Sequence, residues 1–427
     1  MSTLLMLIAL FALVLINVPI AVALGLIAAV AMVAKAGMDN LLGAAVVMFE
    51  GATKFPLIAI PLFVLAGAIM NTTGISRRLI AFASACLGFI RGGLSLVNIG
   101  TSMFFAEISG SAVADVAAIG SILIPAMERR GYPKEFAAAI TSSSASLAII
   151  IPPSIPMILY AVMANSSVVQ LFVAGILPGL IGAAGLMAVS YWLAVRYDYP
   201  VEEVFQLRRL WATFKDAAWA FLLPVIILGG IFGGVVTATE GAGLAVVAAL
   251  FIGVIIYREL DWRHLHRALL DGAVQTAVVM LLVATSAVLG LYLTESRAPQ
   301  NLARSIMEVT ENRYVVLAML NALFLVLGCF LHGAAAIILV VPIVLPIVHA
   351  IELDLVHFGL IVTLNLAIGQ QTPPVASVLI TACSIARADV WEVTKVNLPF
   401  IGVLGAVLLL VTYVPIIPLA LVELFYR

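Results

Sequence analysis

Two diproline pairs interrupt stretches of this chain that are otherwise apolar enough to sit in a bilayer: Pro152-Pro153 in IIIPPSIP and Pro373-Pro374 in GQQTPPVAS. Proline removes a backbone N–H and its ring collides with the preceding helical turn, so neither segment runs through as a regular helix. In hydrocarbon, every backbone group freed by such a break needs a partner within the protein or in a water-filled cavity. Two breaks, one in each half of the chain, point to a transport site near the bilayer midplane.

Composition supplies the membrane setting. The chain is 64% hydrophobic and 10% charged, with mean hydropathy +1.21, more apolar surface than a soluble fold can cover. The runs are too long for the alternating strands of an outer-membrane barrel, which leaves an all-α polytopic protein. A net charge of −1 implies no nucleic-acid partner. No GxxxxGK[ST] loop is present, so ATP hydrolysis by this chain is excluded, and HExxH and GxSxG are also missing; no enzymatic centre is read. Cys86, Cys329 and Cys383 lie in apolar contexts and read as packing residues. The N-terminal MSTLLMLIALF lacks a basic region and reads as a first membrane helix rather than a cleaved signal.

Apolar spans fall at about 3–17, 20–35, 56–73, 92–127, 135–165, 172–195, 217–236, 241–257, 273–295, 314–350, 357–386 and 396–421. The spans 92–127 and 314–350 are too long for one crossing, and each has small or polar residues near its middle, AEISGSAVAD and GCFLHGAAA. That pattern predicts re-entrant hairpins, with a long tilted helix or an ordinary two-span hairpin as the alternative; the proline-broken helix that follows each favours the re-entrant reading. Sliding the chain by 221 residues brings Pro125 onto Pro346, Pro152 onto Pro373 and Pro153 onto Pro374, and lays Ser111 on His332, an internal repeat of structure. With the repeats inverted and 196–216 and 258–272 in the cytoplasm, fifteen of the 21 Lys and Arg fall on the cytoplasmic side. Both termini are then outside the cytoplasm. Amphipathic stretches at 202–219 and 258–272, carrying Trp211, Trp219 and Trp262, predict helices lying in the interface. His264 and His266 are two apart, do not share a helix face and read as no metal site.

At the first hairpin tip, Ser109-Gly110-Ser111 combines backbone freedom with hydroxyl oxygens. Carbonyls and hydroxyls there suit Na⁺, whereas exposed N–H groups and hydroxyls suit a carboxylate. The opposing broken helix offers Ser142, Ser143, Ser144, Ser146 and Ser154; the second half offers Gly328, His332, Gly333, Gly369, Gln370, Gln371 and Thr372. Close helix packing through small residues is the competing reading, and the weightier one for Ser142 to Ser144. Glu107 and Asp115 are the acids of the first hairpin, and a charge at that depth is functional or paired by default; Asp115 is preferred, with helix capping as the alternative for either. Asn98 and Asn365 are candidates for lining the cavity, and Glu240 in TATEGAG reads as a structural turn residue.

The segments 54–79, 92–132 (GGLSLVNIGTSMFFAEISGSAVADVAAIGSILIPAMERRGY), 149–162 (IIIPPSIPMILYAV), 171–179 (LFVAGILPG) and 374–386 (PVASVLITACSIA) resemble the large membrane subunit of tripartite ATP-independent periplasmic (TRAP) transporters, over essentially the whole chain. The resemblance implies an ion-transporter-superfamily fold with an elevator mechanism, related to the divalent anion/sodium symporters. It implies Na⁺-coupled uptake of an organic acid across the bacterial inner membrane, handed over by a periplasmic binding protein, with a small four-helix membrane subunit, expected as a separate chain, completing the complex. On this footing Ser109, Ser111, Asp115, Ser154, Asn98 and Gln371 bind substrate. Sodium sits on Gly110, Ser144, Gly328, Gly333, Gly369, Gln370 and Thr372, largely through backbone carbonyls. Two positions depart from many relatives: Ala68 and His332 stand where an acid is common, and His332 then tunes substrate choice. Sialic acid and a C4-dicarboxylate both remain open as substrate, and a passive channel or a non-transporting scaffold remains the alternative function. The division expected is 1–91 as scaffold and first arm, 92–165 and 314–386 as two transport halves, 166–313 as scaffold and second arm, and 387–427 as a C-terminal helix.

Overall fold

The computed structural model describes residues 3–16, 18–37, 40–201 and 204–426; the side chains of some helical residues, Glu107 and Ser109 among them, lie outside the described set. Within it the regular elements are helices, with one isolated bridge between Arg91 and Val201. Eight of the described helices are long and apolar enough to cross a bilayer.

Hairpin 1 comprises a first arm, Gly93–Ser109, a tip at Gly110 and Ser111, and a return arm running through Ala112–Asp115, a π-turn at Val116–Gly120, and Ser121–Arg129. Each arm is roughly 26 Å long at 1.5 Å per residue. Its two ends meet one neighbourhood: the Gly92 N–H donates to the Pro200 carbonyl at 3.0 Å, and the Tyr132 ring lies 4.9 Å from that of Tyr199. The hairpin therefore goes in and comes back on one face of the molecule. Broken helix 1 follows: Lys134–Ala145, a 3-10 turn at Ser146–Ile149, an unwound stretch around a cis Pro152-Pro153 bond, and Ile155–Ala164. Hairpin 2 (Arg313–Phe330, tip at Leu331 and His332, Gly333–Ala350) and broken helix 2 (Leu355–Gly369, a cis Pro373-Pro374 break, Ser377–Ala386) repeat the plan.

The two repeats run in opposite directions. Lys134 Nζ, at the start of broken helix 1, donates to the Arg387 carbonyl at the end of broken helix 2 (3.1 Å). At the other end, the Tyr160 hydroxyl donates to the carbonyl of Leu355, where broken helix 2 begins (2.7 Å). The broken helices thus lie antiparallel and enter from opposite faces. Behind them, Val168–Arg196 presents Gly175 and Gly179 to the first break, where a Cβ on Gly175 would strike the Ile150 carbonyl oxygen. The helix Val390–Tyr413 crosses both broken helices: Phe400 lies 6.0 Å from Phe136, and His357 Nε2 sits 2.6 Å from the Val411 carbonyl oxygen.

Two expectations change. The stretches at 202–219 and 258–272 are not separate interfacial helices; from Leu207 and from Trp262 they are the first turns of the long helices Leu207–Phe232 and Trp262–Glu295. Neither junction carries a Gly or Pro strong enough to stop the helix, so it propagates from the polar zone into the apolar one. Trp211, Trp219 and Trp262 nevertheless stay exposed on those turns. Asn40–Ala52 forms a helix absent from the hydropathy spans, since 13 residues ending in Glu-Gly-Ala are short for a crossing.

Outside the core, the short helix Ile75–Leu87 is pinned by Arg78. Its guanidinium donates to both Glu259 oxygens (2.8 and 3.1 Å) and to Asp216 (3.3 Å) and lies 3.8 Å over the Tyr257 ring. The hydrogen bond from Arg78 holds the Glu259 carboxyl below the usual range, and the same pairing raises Arg78 further.

Candidate functional site: two hairpin tips docked on two broken helices

Each hairpin tip abuts the break of its own repeat at backbone distance. Gly110 ends the first arm in the left-handed region (φ +59°), and a Cβ there would sit 2.9 Å from the Pro153 carbonyl oxygen. In the second repeat, a Cβ on Gly369 would lie 2.5 Å from the Gly328 Cα, and one on Gly333 2.9 Å from Gln370 Nε2. The Val375 N–H donates to the Cys329 carbonyl at 3.1 Å, tying tip 2 to break 2. Glycine at 110 and 369 brings main chain onto main chain, which concentrates peptide dipoles at two points, and at 333 it admits the Gln370 side-chain amide.

Ser111 is in extended conformation and caps the return arm through its carbonyl, which accepts from the Asp115 N–H at 3.0 Å; Asp115 is fully buried one turn on, at the start of the π-turn. The side chain of Ser109 lies outside the described residues. Ser154, also fully buried, begins Ile155–Ala164 and spans its break by donating to the Ile149 carbonyl (2.8 Å). In break 2, the Thr372 hydroxyl donates to Ile368 O (3.1 Å) and Gln370 Nε2 to Leu366 O (3.2 Å), while the Gln370 carbonyl accepts from Val378 N. His332 is exposed at tip 2, as are Pro374 and Val375 beside it, whereas Pro152, Pro153 and Ser154 of break 1 are buried.

Asn98 and Ser144, read separately from sequence, are partners. Asn98 Nδ2 donates to Thr141 Oγ1 (2.6 Å), and the Asn98 carbonyl oxygen accepts from Ser144 (3.0 Å), which Ser102 also approaches (3.0 Å). Asn365 occupies the position of Ser144 in the second repeat and donates to Asn321 (2.6 Å), which donates to Thr412 (3.1 Å). These ladders fasten each hairpin to its broken helix, and Asn98 and Asn365 are engaged in them.

One junction went unread in the sequence. The Ser143 hydroxyl lies 2.6 Å from both Gln371 Oε1 and Asn397 Oδ1, and Asn397 Nδ2 donates to Gln371 Oε1 at 3.1 Å. It joins the first repeat, the second break and the C-terminal helix. Ser143 has one proton for two oxygens, so the junction is oxygen-rich. Ser142 Oγ and Thr101 Oγ1, both fully buried, have no hydrogen-bond partner among the described residues. The available signal for Asn397 was a lone amide inside an apolar span, VTKVNLPF.

The tips and breaks gather carbonyl and hydroxyl oxygens and helix starts. Residues 7–417 match the family model described as tripartite ATP-independent periplasmic transporter, DctM component. Among relatives, the isethionate TRAP transporter permease protein DctMQ of Oleidesulfovibrio alaskensis is 42% identical over 405 residues; the alignment covers 95% of this chain and 64% of that longer protein. The C4-dicarboxylate TRAP transporter large permease protein DctM of Pseudomonas aeruginosa is 38% identical, covering 90% of each. The sialic acid TRAP transporter large permease protein SiaM of Vibrio cholerae is 37% identical, covering 88% of each. The crystal structure of the Alcanivorax borkumensis YdaH transporter shares the fold at TM-score 0.62 and 13% identity, over 88% of each chain. Matched along nearly its whole length, this chain belongs to the family of TRAP transporter large membrane components.

Proposed function

We propose that this chain carries a small organic anion across a bacterial inner membrane, driven by Na⁺, in an elevator movement. The two hairpins and two broken helices (92–165 and 314–386) move as a body against the helices of 1–91 and 166–313. The C-terminal helix travels with the moving body, a reading supported by the Ser143–Gln371–Asn397 junction that binds it there. The observation that carries the proposal is the docking of each tip on its own break. It creates two paired points where carbonyl oxygens, hydroxyls and helix N-termini converge without a fixed cation to neutralise an anion permanently.

Roles divide by chemistry. The helix starts at Ser111, Ser154 and His332 offer N–H groups to a carboxylate or sulfonate, with Ser109, Asp115 and Gln371 around them. Carbonyls and hydroxyls near Gly110, Ser144, Gly328, Gly333, Gly369, Gln370 and Thr372 offer oxygens to Na⁺, and the oxygen excess at Ser143 and the partnerless Ser142 hydroxyl support that reading. The relatives' substrates, isethionate, C4-dicarboxylates and sialic acid, share an acidic group and little else. His332, exposed at tip 2, is placed to discriminate among them. A periplasmic binding protein delivers the anion and a small membrane subunit completes the assembly, with both termini on the periplasmic side.

The test is reconstitution. The chain and its small subunit go into liposomes with an inward Na⁺ gradient and loaded binding protein outside. Expected is anion accumulation that needs both. Uptake indifferent to Na⁺ and to the binding protein would refute the proposal and favour a passive pore.

A further inference from the structure

Beside hairpin 1 lies a polar cavity of about 440 Å³, between its return arm and the turn that joins Ala59–Thr72 to Ile75–Leu87. Arg77, Asn71, Thr72, Ser121 and Gln275 line it. Ala114, Ala117 and Ser121 form one stripe of the return arm at helical spacing, so the cavity wall starts three residues from the Ser111 tip. Arg77 is exposed there and makes no ion pair among the described residues. Glu259, which packs against this same turn at Gly74, is held bidentately by Arg78.

The repeat supplies an internal control. Shifted by 221 residues, Thr72, Ala117, Ala118, Ser121 and Ile122 become Leu293, Ile338, Leu339, Pro342 and Ile343. All five line the corresponding gap beside hairpin 2, which is closed to about 20 Å³. Ile338 and Pro342 also line an adjoining space of about 320 Å³, where Lys54 is accompanied by the Glu50 carboxylate, which opposes an anion. Beside hairpin 1 the crevice is lined by Arg77 and, among the described residues, by no carboxylate, whereas beside hairpin 2 it is narrow and apolar at Leu339 and its wider part carries Glu50 with Lys54.

We infer that the cavity at Arg77 is a second binding site for the transported organic anion, occupied between the hairpin tips and the cytoplasm. The guanidinium holds the carboxylate or sulfonate, and Ser121 and Gln275 supply hydrogen bonds. This site rests on the transport reading above. Its shallow, solvent-accessible position makes it a stopping point for release rather than a tight site.

The test uses the whole assembly in liposomes, with radiolabelled succinate, isethionate and N-acetylneuraminate each tried as probe. Exchange is measured as internal and external anion are varied separately, with loaded binding protein outside selecting molecules of one orientation. Arg77→Ala is expected to raise the half-saturating internal concentration about tenfold, the loss expected for a partly screened charge-assisted bond. The dependence on external loaded binding protein should stay unchanged. Arg77→Lys should restore most of the loss, and Ser121→Val, which copies the apolar side, should shift the same internal parameter. An unchanged internal value in an active Arg77→Ala assembly, or equal shifts on both sides, would overturn the site and leave transport standing. Loss of the Arg77 effect when anionic lipids are omitted would assign the cavity to lipid phosphate instead, also overturning it. A wild-type assembly exchanging none of the probes defeats the transport reading and this site with it.

Discussion

Gly369→Ala tests the docking of hairpin 2 most directly. The added methyl would sit 2.5 Å from the Gly328 Cα, 2.6 Å from the Gly328 carbonyl carbon and 3.1 Å from the Cys329 nitrogen. All three are main-chain atoms, so no side chain can swing aside. Ordinary van der Waals separation of carbons is about 3.5–4 Å, so the tip and the break must part by roughly 1 Å. Overpacking of this kind costs about 1–3 kcal/mol, and the rigid partner places it toward the upper end. The separation also stretches the Val375 N–H bond to Cys329, now 3.1 Å, and moves the Gln370 side-chain amide relative to Gly333. Expected is a purified complex that assembles but melts at lower temperature, with Na⁺-driven uptake reduced at least tenfold. Gly402→Ala is the control: a Cβ there meets nothing within 4 Å, so uptake should be unchanged and the melting temperature the same or slightly higher, as helix propensity favours Ala over Gly. If Gly369→Ala transports and melts like the wild type, tip 2 does not bear on break 2 and the reasoning fails.

Other outcomes follow from the same contacts. Ser154→Ala removes the 2.8 Å bond across break 1 and is expected to lower uptake while the folded complex survives, at a stability cost of about 1 kcal/mol; an unchanged uptake rate would remove Ser154 from the site. Gln371→Leu removes the acceptor of Asn397 Nδ2 while Ser143 keeps its bond to Asn397 Oδ1, so it strands the Asn397 amide N–H at a cost of about 1–3 kcal/mol, and Asn397→Leu added to it should cost less than the two single changes combined, which thermal unfolding of all three variants can decide. The Arg78–Glu259 pair gives a pH signature: with its folded-state carboxyl held low, Glu259 contributes stability above the ordinary glutamate range and loses it as pH falls through that range to its depressed value. The melting-temperature gap between wild type and Glu259→Gln should therefore be widest at neutral pH and narrow on acidification; a gap independent of pH would show that the pair contributes no such stability.

Much of this architecture was legible because proline and glycine act locally. A diproline cannot continue a helix wherever the fold places it, so both breaks could be read at Pro152 and Pro373, and the 221-residue offset followed from their spacing. Length relative to the bilayer marked the two hairpins. What happens at Leu207 and Trp262 could not be read in this way, since polar and apolar turns of one continuous helix look, residue by residue, like two helices. Asn98 and Ser144 were each singled out as polar residues in lipid-like surroundings, but their pairing across 3.0 Å depends on how hairpin 1 rotates against broken helix 1.

By itself, then, the chain's sequence determined that it crosses membranes as helices, where those helices must unwind, and that the plan occurs twice. These properties depend on backbone chemistry and hydrocarbon thickness, which each segment meets alone. Tertiary structure decided which tip meets which break, that Ser143, Gln371 and Asn397 converge from three elements, and that the crevice is open at Arg77 and shut at Leu339. Those depend on the relative placement of whole helices, which is held by close glycine packing between each tip and its break and by hydrogen bonds such as Ser143 to Gln371 and Lys134 to Arg387 between segments more than two hundred residues apart, and no local pattern encodes it.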